Sequence, residues 1–246
     1  MHPKVLIDYF PDHGTPELRH AVVAVDVIRA TTTAITAVSQ GRRCFPVTSV
    51  EAAHELAAKL EEPLLVGELG GQKPASFDIT NSPAALAART DTHRPVILLS
   101  TSGTQLLDSL CAHSPVYVAC FRNFGAIAGE LWDSGLDVTL LGAGSRGEFR
   151  EEDQMCCAWI ADQLTRSGYE SANRSTADIV RKWRGASPDA CVSGNSAKFL
   201  TRTNQLQDLS FILSRVNDLD LVCSYSNGEI VAVPSHARSA LVSAPN

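Results

Sequence analysis

Residues 21–39, AVVAVDVIRATTTAITAVS, form the stretch that decides the fold. The apolar run from Ala21 to Val25 predicts a strand that is buried on both faces, because no polar residue alternates with the apolar ones. Asp26 lies near the carboxyl end of this strand, and residues 32–39 have the composition of a helix. A strand that leads directly into a helix is the repeating unit of α/β proteins.

The same alternation of short β-branched runs and longer Ala- and Leu-rich stretches continues to Gly168. It predicts strands at residues 5–9, 22–27, 44–47, 64–66, 96–100, 116–120 and 138–142. It predicts helices at residues 32–39, 50–60, 82–88, 103–110, 123–133 and 151–166. Beyond Gly168 we expect helices at 173–183 and 206–216, strands at 221–223 and 230–233, and an irregular stretch at 185–195.

These elements predict an α/β protein with a layered α/β/α architecture and a mixed, largely parallel sheet. Within a single domain spanning residues 1–246, we expect a core at 20–168, a partly irregular C-terminal region at 169–234 and a loose tail at 235–246. The turn at 99–104 echoes the turn at 25–33, so two pseudo-duplicated halves are an alternative.

The composition is that of an ordinary globular protein, since 44% of the 246 residues are hydrophobic and 20% are charged. The net charge of -6, without a run of Lys or Arg, argues against nucleic acid as a partner. No apolar stretch reaches the roughly 18 residues of a membrane helix, and the N-terminus lacks a signal-peptide pattern. Seven cysteines without a CxxC pair favour a reducing compartment. We expect a cytoplasmic protein without a membrane partner, and a homo-oligomer stays open.

The turn after the first buried strand carries the sharpest chemical pattern, because ligands of α/β proteins bind at such strand ends. Asp26 is suited to hold a divalent cation or to act on a proton, and Arg29 can bind phosphate with two parallel hydrogen bonds. The Thr31 and Thr32 hydroxyls follow where a helix start offers N–H groups to an anion. The alternative is structural: Asp26 caps the helix and Arg29 pairs with it.

A second group of polar residues follows the strand at 64–66. Glu68 precedes two glycines, which let the backbone approach a ligand closely, and Asp78 and Asn81 come shortly before a helix. Asp26, Glu68 and Asp78 together would make an oxygen-rich cation site. The alternative is a glycine-rich turn followed by a helix cap at residue 81 or 82.

A third group is the hydroxyl cluster at the end of the strand at 96–100. Its members are Ser100, Thr101, Ser102, Gly103 and Thr104. Their backbone and side-chain donors are suited to bind an oxyanion. An ordinary helix entry rich in Ser and Thr is an equal alternative.

The loop at 142–153, GAGSRGEFREED, follows another apolar strand. Its glycine spacing fits a dinucleotide-binding turn, but a long helix occupies the place where the expected second strand and its acidic residue would lie. We therefore favour a glycine loop in which Arg146 contacts an anion. Glu152 and Asp153 are then either cation ligands or ordinary acids in the first turn of a helix.

Histidine and cysteine chemistry is disfavoured. The seven histidines include no HxH or HExxH pair, which argues against a zinc site and a histidine phosphatase. No cysteine precedes an anion-binding loop that ends in Arg, so we interpret Cys156 and Cys157 as buried structural thiols.

Several short segments, taken in order, resemble the 2-phosphosulfolactate phosphatase (ComB) family. They are VDVIRATTT (25–33), GELGG (67–71), FDITNSP (77–83), STSGT (100–104), Asn123 after Phe121, and the loop at 142–153 leading into Cys156. SGNSAKFL (193–200) and residues 209–222 look like a fainter continuation. The resemblance implies an α/β fold and an Mg²⁺-dependent phosphatase that acts on a small phosphorylated hydroxy acid on the route to coenzyme M. The family motif positions are Asp26, Arg29, Thr31, Thr32, Glu68, Asp78, Asn81, Gly103, Thr104, Asn123, Glu152 and Asp153.

Two positions depart from the family pattern, which has Arg where this chain has Leu69 and Asn where it has Ser102. The usual substrate carries phosphate, carboxylate and sulfonate, so a missing guanidinium removes a charge-assisted contact. Arg122, Arg146 and Arg150 are candidates to compensate for it.

We predict hydrolysis of a small anionic phosphomonoester, such as 2-phosphosulfolactate or a related phosphorylated hydroxy acid or sugar, with Mg²⁺ as the cofactor. The predicted catalytic residues are Asp26, Arg29, Glu68 and Asp78. The predicted substrate-binding residues are Thr31, Thr32, Asn81, Ser100, Thr101, Ser102, Gly103, Thr104, Asn123 and Arg146. The predicted metal ligands are Asp26, Glu68, Asp78, Glu152 and Asp153.

Three alternatives stay open. The first is a non-hydrolytic binding protein for a phosphorylated metabolite, and the second is a lyase or transferase that uses the same anion site. The third is a phosphatase with a covalent phospho-aspartate at Asp26, although the DxDx(T/V) order of such enzymes is absent.

Overall fold

The computed structural model describes residues 2–10, 20–112, 115–145 and 147–233. The predicted tail at 235–246 and Arg146 therefore lie outside the described residues. The strands are β1 Lys4–Tyr9, β2 His20–Val25, β3 Cys44–Val47, β4 Leu64–Gly67, β5 Val96–Leu99, β6 Val116–Ala119, β7 Asp137–Gly142, β8 Glu170–Ser171, β9 Cys223–Ser226 and β10 Glu229–Ala232. Within the described ranges they form one ten-stranded sheet in the order β4-β5-β3-β10-β9-β6-β2-β7-β1-β8.

Helices cover both faces of this sheet. They are α1 Ala30–Ser39, α2 Val50–Ala57, α3 Pro83–Ala87, α4 Gly103–Ser109, α5 Phe124–Ser134, α6 Glu151–Arg166, α7 Arg174–Trp183, α8 Asn195–Arg202 and α9 Leu206–Ser214, with a 3-10 turn at Pro188–Cys191. Along β2, Val23 and Val25 pack with α5 and α6, whereas Val22 and Ala24 pack with α1 and α4. The predicted layered α/β/α architecture is thus confirmed, because the central strand is buried on both faces.

The sheet consists of two parallel blocks joined by an antiparallel hairpin. One block is β4-β5-β3 and the other is β6-β2-β7-β1-β8. The hairpin β9–β10 lies between them, and its three antiparallel pairings reverse the strand direction from one block to the other. The predicted mixed, largely parallel sheet is confirmed.

Sheet twist explains how loops from both blocks reach one place. Neighbouring strands are rotated by roughly 20–25°, and five steps separate β5 from β2 in the strand order. The accumulated rotation offsets much of the reversal in direction, so the carboxyl ends of β2 and β5 come close to each other. Gly103 at the start of α4 consequently packs against Asp26 and Ala30.

The structure corrects several predicted boundaries. The strand predicted at 22–27 ends at Val25, because the chain turns at Asp26 and begins α1 two residues before the predicted Thr32. The helix α8 and the short strand β8 were not expected from the sequence. The last strands also differ from the prediction at 221–223 and 230–233, since they form the hairpin at Cys223–Ser226 and Glu229–Ala232. Among the described residues, no helix combines the length and the apolar character needed to cross a bilayer.

Candidate active site

A cavity of about 510 Å³ opens where the chain leaves β2, β4, β5 and β7. Eight residues predicted from the sequence line it, namely Asp26, Arg29, Glu68, Asn81, Ser100, Thr101, Ser102 and Asp153. The other walls come from the loop after β7 and from α8, through residues such as Ser145, Arg150, Asn195, Phe199 and Arg202. The cavity therefore combines carboxylates, hydroxyls and guanidinium groups, which suits a small anionic ligand.

Asp26 lies at the centre of this arrangement and is 6% exposed. Its Oδ1 accepts a hydrogen bond of 3.1 Å from the Ala30 backbone N–H, which occupies one donor of the α1 start. Its Oδ2 faces Gly103, where an added Cβ would lie 2.4 Å from that oxygen. Glycine at 103 is thus required for close packing against the carboxyl group, and this contact is its contribution to the site.

The threonines of the two turns hold the backbone and do not face the cavity. Thr31 Oγ1 donates to the Asp26 carbonyl at 2.8 Å, and Thr32 Oγ1 donates to the Val27 carbonyl at 2.7 Å. Thr104 Oγ1 donates to the Ser100 carbonyl at 2.7 Å. Each of the three side chains is buried and its hydroxyl shapes its own turn, so the substrate-binding role expected of them stays a prediction.

Arg29 lines the cavity but does not pair with Asp26 as the structural alternative supposed. Its Nη1 donates to Asp208 Oδ2 at 2.7 Å and to Gln205 Oε1, both contributed by the C-terminal region. The side chains of Arg29 and Asp208 are 4% and 1% exposed. The peptide bond between Ile28 and Arg29 is cis.

Glu68 connects the loops after β4 and β5. Its Oε1 accepts from the Thr101 backbone N–H at 2.7 Å, and its Oε2 accepts from Thr101 Oγ1 at 2.8 Å and from the Gly71 N–H at 2.6 Å. Both carboxylate oxygens therefore have protein donors. The contacts assign Glu68 to holding this rim of the cavity together, and its predicted catalytic and metal-binding roles stay predictions.

Two adjacent acids at the start of α6 complete the interior. Asp153 lines the cavity and its Oδ1 accepts from the Val27 N–H at 2.8 Å. Glu152 is 1% exposed, lies behind the cavity wall, and has an Oε2 atom with no hydrogen-bond partner among the described residues. An unpaired buried carboxylate oxygen is costly, so this corner is suited to receive a cation or a proton.

Burial raises the pKa of three of these carboxyl groups. For Asp26 the pKa rises to about 7, first because of burial and then because of the nearby charges of Glu68 and Glu152, although the Ala30 N–H opposes the shift. The pKa of Asp153 is raised well above its usual value by burial and by Glu152 and Asp26. Burial likewise raises the pKa of Glu152. Interacting buried carboxyls of this kind are typical of functional sites.

The family described as 2-phosphosulpholactate phosphatase matches residues 9–228. The chain belongs to this family. Its members are phosphatases, a class of phosphoric monoester hydrolases.

Three relatives in this family are each named "Probable 2-phosphosulfolactate phosphatase". The protein from Clostridium perfringens strain SM101 is 30% identical over 220 residues, which cover 87% of this chain and 89% of the relative. The protein from Caldanaerobacter subterraneus is 29% identical over 213 residues, covering 84% and 88% of the two chains. The protein from Thermotoga maritima is 36% identical over 152 residues, covering 61% and 65%. The resemblance predicted from the short motifs is confirmed.

Two predicted family positions lie away from the cavity. The Asp78 carboxylate accepts from the Leu65 N–H at 2.8 Å and lies 3.6 Å from Arg94 on the outer side of the sheet edge. Asn123 is fully buried and bonds to the backbone of residues 118, 120 and 221. The polar atoms of both residues hold loops together and neither residue lines the cavity, so the site roles expected of them stay predictions.

The departures from the family pattern have distinct surroundings. Leu69 is 52% exposed at the cavity rim, and Ser102 lines the cavity. Of the arginines proposed to compensate for Leu69, Arg122 does not reach the cavity, since it pairs with Asp218 at 2.8 Å. Arg150 does line it, with a buried Nε that has no partner among the described residues.

No group of three or more His, Cys, Asp or Glu side chains among the described residues has the arrangement of a preformed metal site. Mg²⁺ does not need such a group, because it commonly binds one or two carboxylates and completes its shell with water and substrate phosphate. The buried Asp26 and Asp153, with the unpartnered Glu152 oxygen beside them, fit that second mode.

Sequence reasoning missed the contribution of the C-terminal region to the family site. Asn195, Ser196, Phe199 and Arg202 of α8 line the cavity. An added Cβ at Gly71, which has a φ of +84°, would lie 2.7 Å from the Phe199 ring, so this glycine lets the loop after β4 meet α8. The segment SGNSAKFL carried the only sequence signal for these residues, as a faint family resemblance.

Proposed function

We propose that this chain is an Mg²⁺-dependent phosphatase that hydrolyses a small anionic phosphomonoester, such as 2-phosphosulfolactate or a related phosphorylated hydroxy acid or sugar. The observation that carries the proposal is the pairing of two unneutralised buried acids, Asp26 and Asp153, with a guanidinium at Arg29 in one cavity. Acids without a cation partner suit a metal ion, and the arginine suits the phosphate that accompanies it. The family names of the relatives support the same substrate class.

Asp26 and Asp153 would hold the cation, since both line the cavity. Bound there, Mg²⁺ would supply Lewis-acid polarisation of the phosphoryl group and a water molecule of lowered pKa. Glu152 lies behind them and adds negative charge to the corner, which increases the attraction for a divalent ion.

Arg29 and the loop after β5 bind the phosphate in this proposal. The guanidinium stabilises charge on the phosphoryl oxygens as the ester bond breaks, which is the main contribution that a protein makes to phosphoryl transfer. Ser100 and Ser102 line the same wall and donate their hydroxyls to the remaining oxygens. Arg202, together with Arg150 beside its ion-pair partner Glu148, would contact a second anionic group of the substrate.

The proposal is tested by phosphate release from a panel of phosphorylated hydroxy acids and sugars, with Mg²⁺ or with EDTA. We expect Mg²⁺-dependent release that Asp26→Asn abolishes, because the variant keeps the Ala30 hydrogen bond and removes only the charge. Asp162→Asn is the matched control, since Asp162 is a buried carboxylate paired with Arg184 outside the cavity. Release that ignores both EDTA and Asp26→Asn would overturn the proposal, as would ligand binding without turnover of any ester.

We also propose that the reaction takes place in the cytoplasm. All seven cysteines lie in the described ranges, none forms a disulfide, and six of them are buried. Reduced thiols of this kind are typical of a reducing compartment. Fractionation of cells that express the protein is the direct measurement, and recovery outside the cytoplasmic fraction would contradict the assignment.

A further inference from the structure

Asp208 is a buried carboxylate that the sequence reasoning did not single out. It lies in the first turn of α9, is 0% exposed, and is far in sequence from Arg29, with which it pairs. Its Oδ1 accepts from Ser82 Oγ at 2.5 Å and from the Ala84 N–H at 3.2 Å. Its Oδ2 accepts from Arg29 Nη1 at 2.7 Å.

We propose that Asp208 is a positioning residue for the phosphate-binding guanidinium of Arg29. This inference rests on the proposed function, in which Arg29 contacts the phosphoryl group. Asp208 and Gln205 both accept hydrogen bonds from Arg29 Nη1. No described residue accepts a hydrogen bond from Arg29 Nη2 or Nε. The held nitrogen orients the guanidinium plane and leaves its other donors for the ligand.

Contacts at the start of α3 fix the orientation of the Asp208 carboxylate, so that one particular oxygen is directed at Arg29. Ser82 caps α3 by accepting from the Ala85 N–H, and it donates its own proton to Asp208 Oδ1. With Oδ1 engaged by α3, only Oδ2 is directed at Arg29. Three segments distant in sequence are thereby joined at one carboxyl group: the turn after β2, the start of α3 and the first turn of α9.

The buried positive charge of Arg29 also requires a partner, and Asp208 provides it. A guanidinium with a 4% exposed side chain cannot rely on water to stabilise it, so the Asp208 carboxylate keeps the positive charge in the cavity wall. An ordinary structural ion pair would not need to line a cavity, whereas Arg29 does. The location separates this pair from Arg184–Asp162, which holds α6 to the chain after α7.

Asp208→Asn is the informative substitution. An asparagine that keeps its carbonyl oxygen toward Ser82 and Ala84 must turn its NH₂ group toward Arg29 Nη1, so two donors face each other and the guanidinium shifts. We expect a loss of about 10²-fold in kcat/KM, as for other small displacements of binding groups. Asp162→Asn, the matched control, removes a buried carboxylate charge elsewhere and leaves kcat/KM unchanged.

The double variant separates positioning from general structural support. If Asp208 acts through Arg29, Asp208→Asn has no further effect on kcat/KM in an Arg29→Ala background, while each single variant is impaired. Thermal unfolding establishes that every variant is folded before comparison. A folded Asp208→Asn protein with wild-type kcat/KM, or losses that multiply in the double variant, would overturn the inference.

Calorimetry with inorganic phosphate in the presence of Mg²⁺ distinguishes this inference from the proposed function. Phosphate affinity that falls equally in Asp208→Asn, in Arg29→Ala and in the double variant supports positioning even if no ester is hydrolysed. Hydrolysis that is unaffected by Asp208→Asn keeps the phosphatase proposal and removes the inference. Absence of both phosphate binding and hydrolysis in the wild-type protein would contradict the two together.

Discussion

Two groups of acidic residues lie at different places on the sheet, and their carboxyl pKa values are shifted in opposite directions. The site cluster, Asp26, Glu152 and Asp153, is buried and its carboxyl groups have raised pKa values. The peripheral cluster consists of Asp78 and Asp91 together with Arg42, Arg89 and Arg94. There the Arg89 guanidinium, with Arg42 and Arg94, holds the pKa of Asp91 well below its usual range.

This contrast separates acids whose charge stabilises the fold from acids that we assign to ligand binding. Asp91 accepts hydrogen bonds from three arginines, and two of them, Arg42 and Arg94, also donate to backbone carbonyls before β5 and β4, so its charge stabilises the folded chain. The site cluster has no comparable set of cations, and its charges oppose folding. In the proposed function, a bound cation would neutralise these charges and offset their cost to stability.

The largest expected effect concerns catalysis by the site cluster. Asp153→Asn keeps the Val27 hydrogen bond through its carbonyl oxygen but removes a proposed cation ligand, so we expect kcat to fall by about 10²–10⁴-fold. Phosphate release at increasing Mg²⁺ measures the loss and the accompanying weakening of Mg²⁺ activation. Wild-type rates in this variant would show that Asp153 is an ordinary first-turn acid of α6.

The next effect concerns stability at the same cluster. Because the folded-state pKa of Asp26 is raised to about 7, wild-type stability falls as pH rises from about 4 to about 7, and Asp26→Asn escapes this loss. In EDTA at pH 8 we expect the variant to be more stable by on the order of 2–4 kcal/mol, with the difference vanishing near pH 4. Urea unfolding at both pH values makes the measurement. An Asp26→Asn protein that is less stable at pH 8 would break the comparison.

An Asp-to-Asn substitution in the peripheral cluster should change the free energy of unfolding in the opposite direction. Asp91 has a lowered pKa, so its stabilisation is present above about pH 4 and is lost as pH falls through the folded-state pKa. We expect Asp91→Asn to destabilise the protein at pH 8 by about 1–2 kcal/mol, because it weakens charge-assisted bonds to the arginines. Urea unfolding in parallel with Asp26→Asn provides the contrast, and equal signs would contradict it.

The smallest effect is expected at Asp78, which the sequence pattern placed among the catalytic acids. Its carboxylate is directed to Leu65 and Arg94 and not into the cavity, so Asp78→Asn should change transition-state stabilisation by less than about 0.5 kcal/mol. Steady-state phosphate release measures this. A large fall in kcat with an unchanged unfolding midpoint would show that Asp78 acts in catalysis after all.

Local patterns were sufficient for much of the fold. The buried run at Ala21 to Val25 indicated a central strand, the helix predicted from residue 50 begins there as α2, and α6 has the predicted bounds of 151–166. Helix α8 was not predicted because its short amphipathic pattern follows a stretch rich in Gly, Ser and Pro. Its stability comes from packing of Ala197 and Leu200 against α9. Periodicity in so short a segment is a weak signal.

The site was predictable where chemistry coincides with a strand end and not elsewhere. Asp26, Glu68 and Ser100 follow strands directly, so their placement at the cavity agrees with the pattern. Asp78 lies in the loop between β4 and α3, and its carboxylate contacts Leu65 and Arg94 instead of lining the cavity, which only the tertiary arrangement decides. Asp208 lies in the first turn of α9, where acids are common, and no local pattern distinguishes its buried carboxylate from a solvated one.

The β9–β10 hairpin has a consequence for synthesis of the protein. The two strands in the middle of the sheet follow the other eight in sequence and leave the ribosome after them, so β3 and β6 have unpaired edges until the hairpin is made. Such edges are templates for association with other chains. A nascent or prematurely terminated chain that ends before Cys223 therefore exposes two open half-sheets, and its fate depends on how quickly chaperones or proteases reach them.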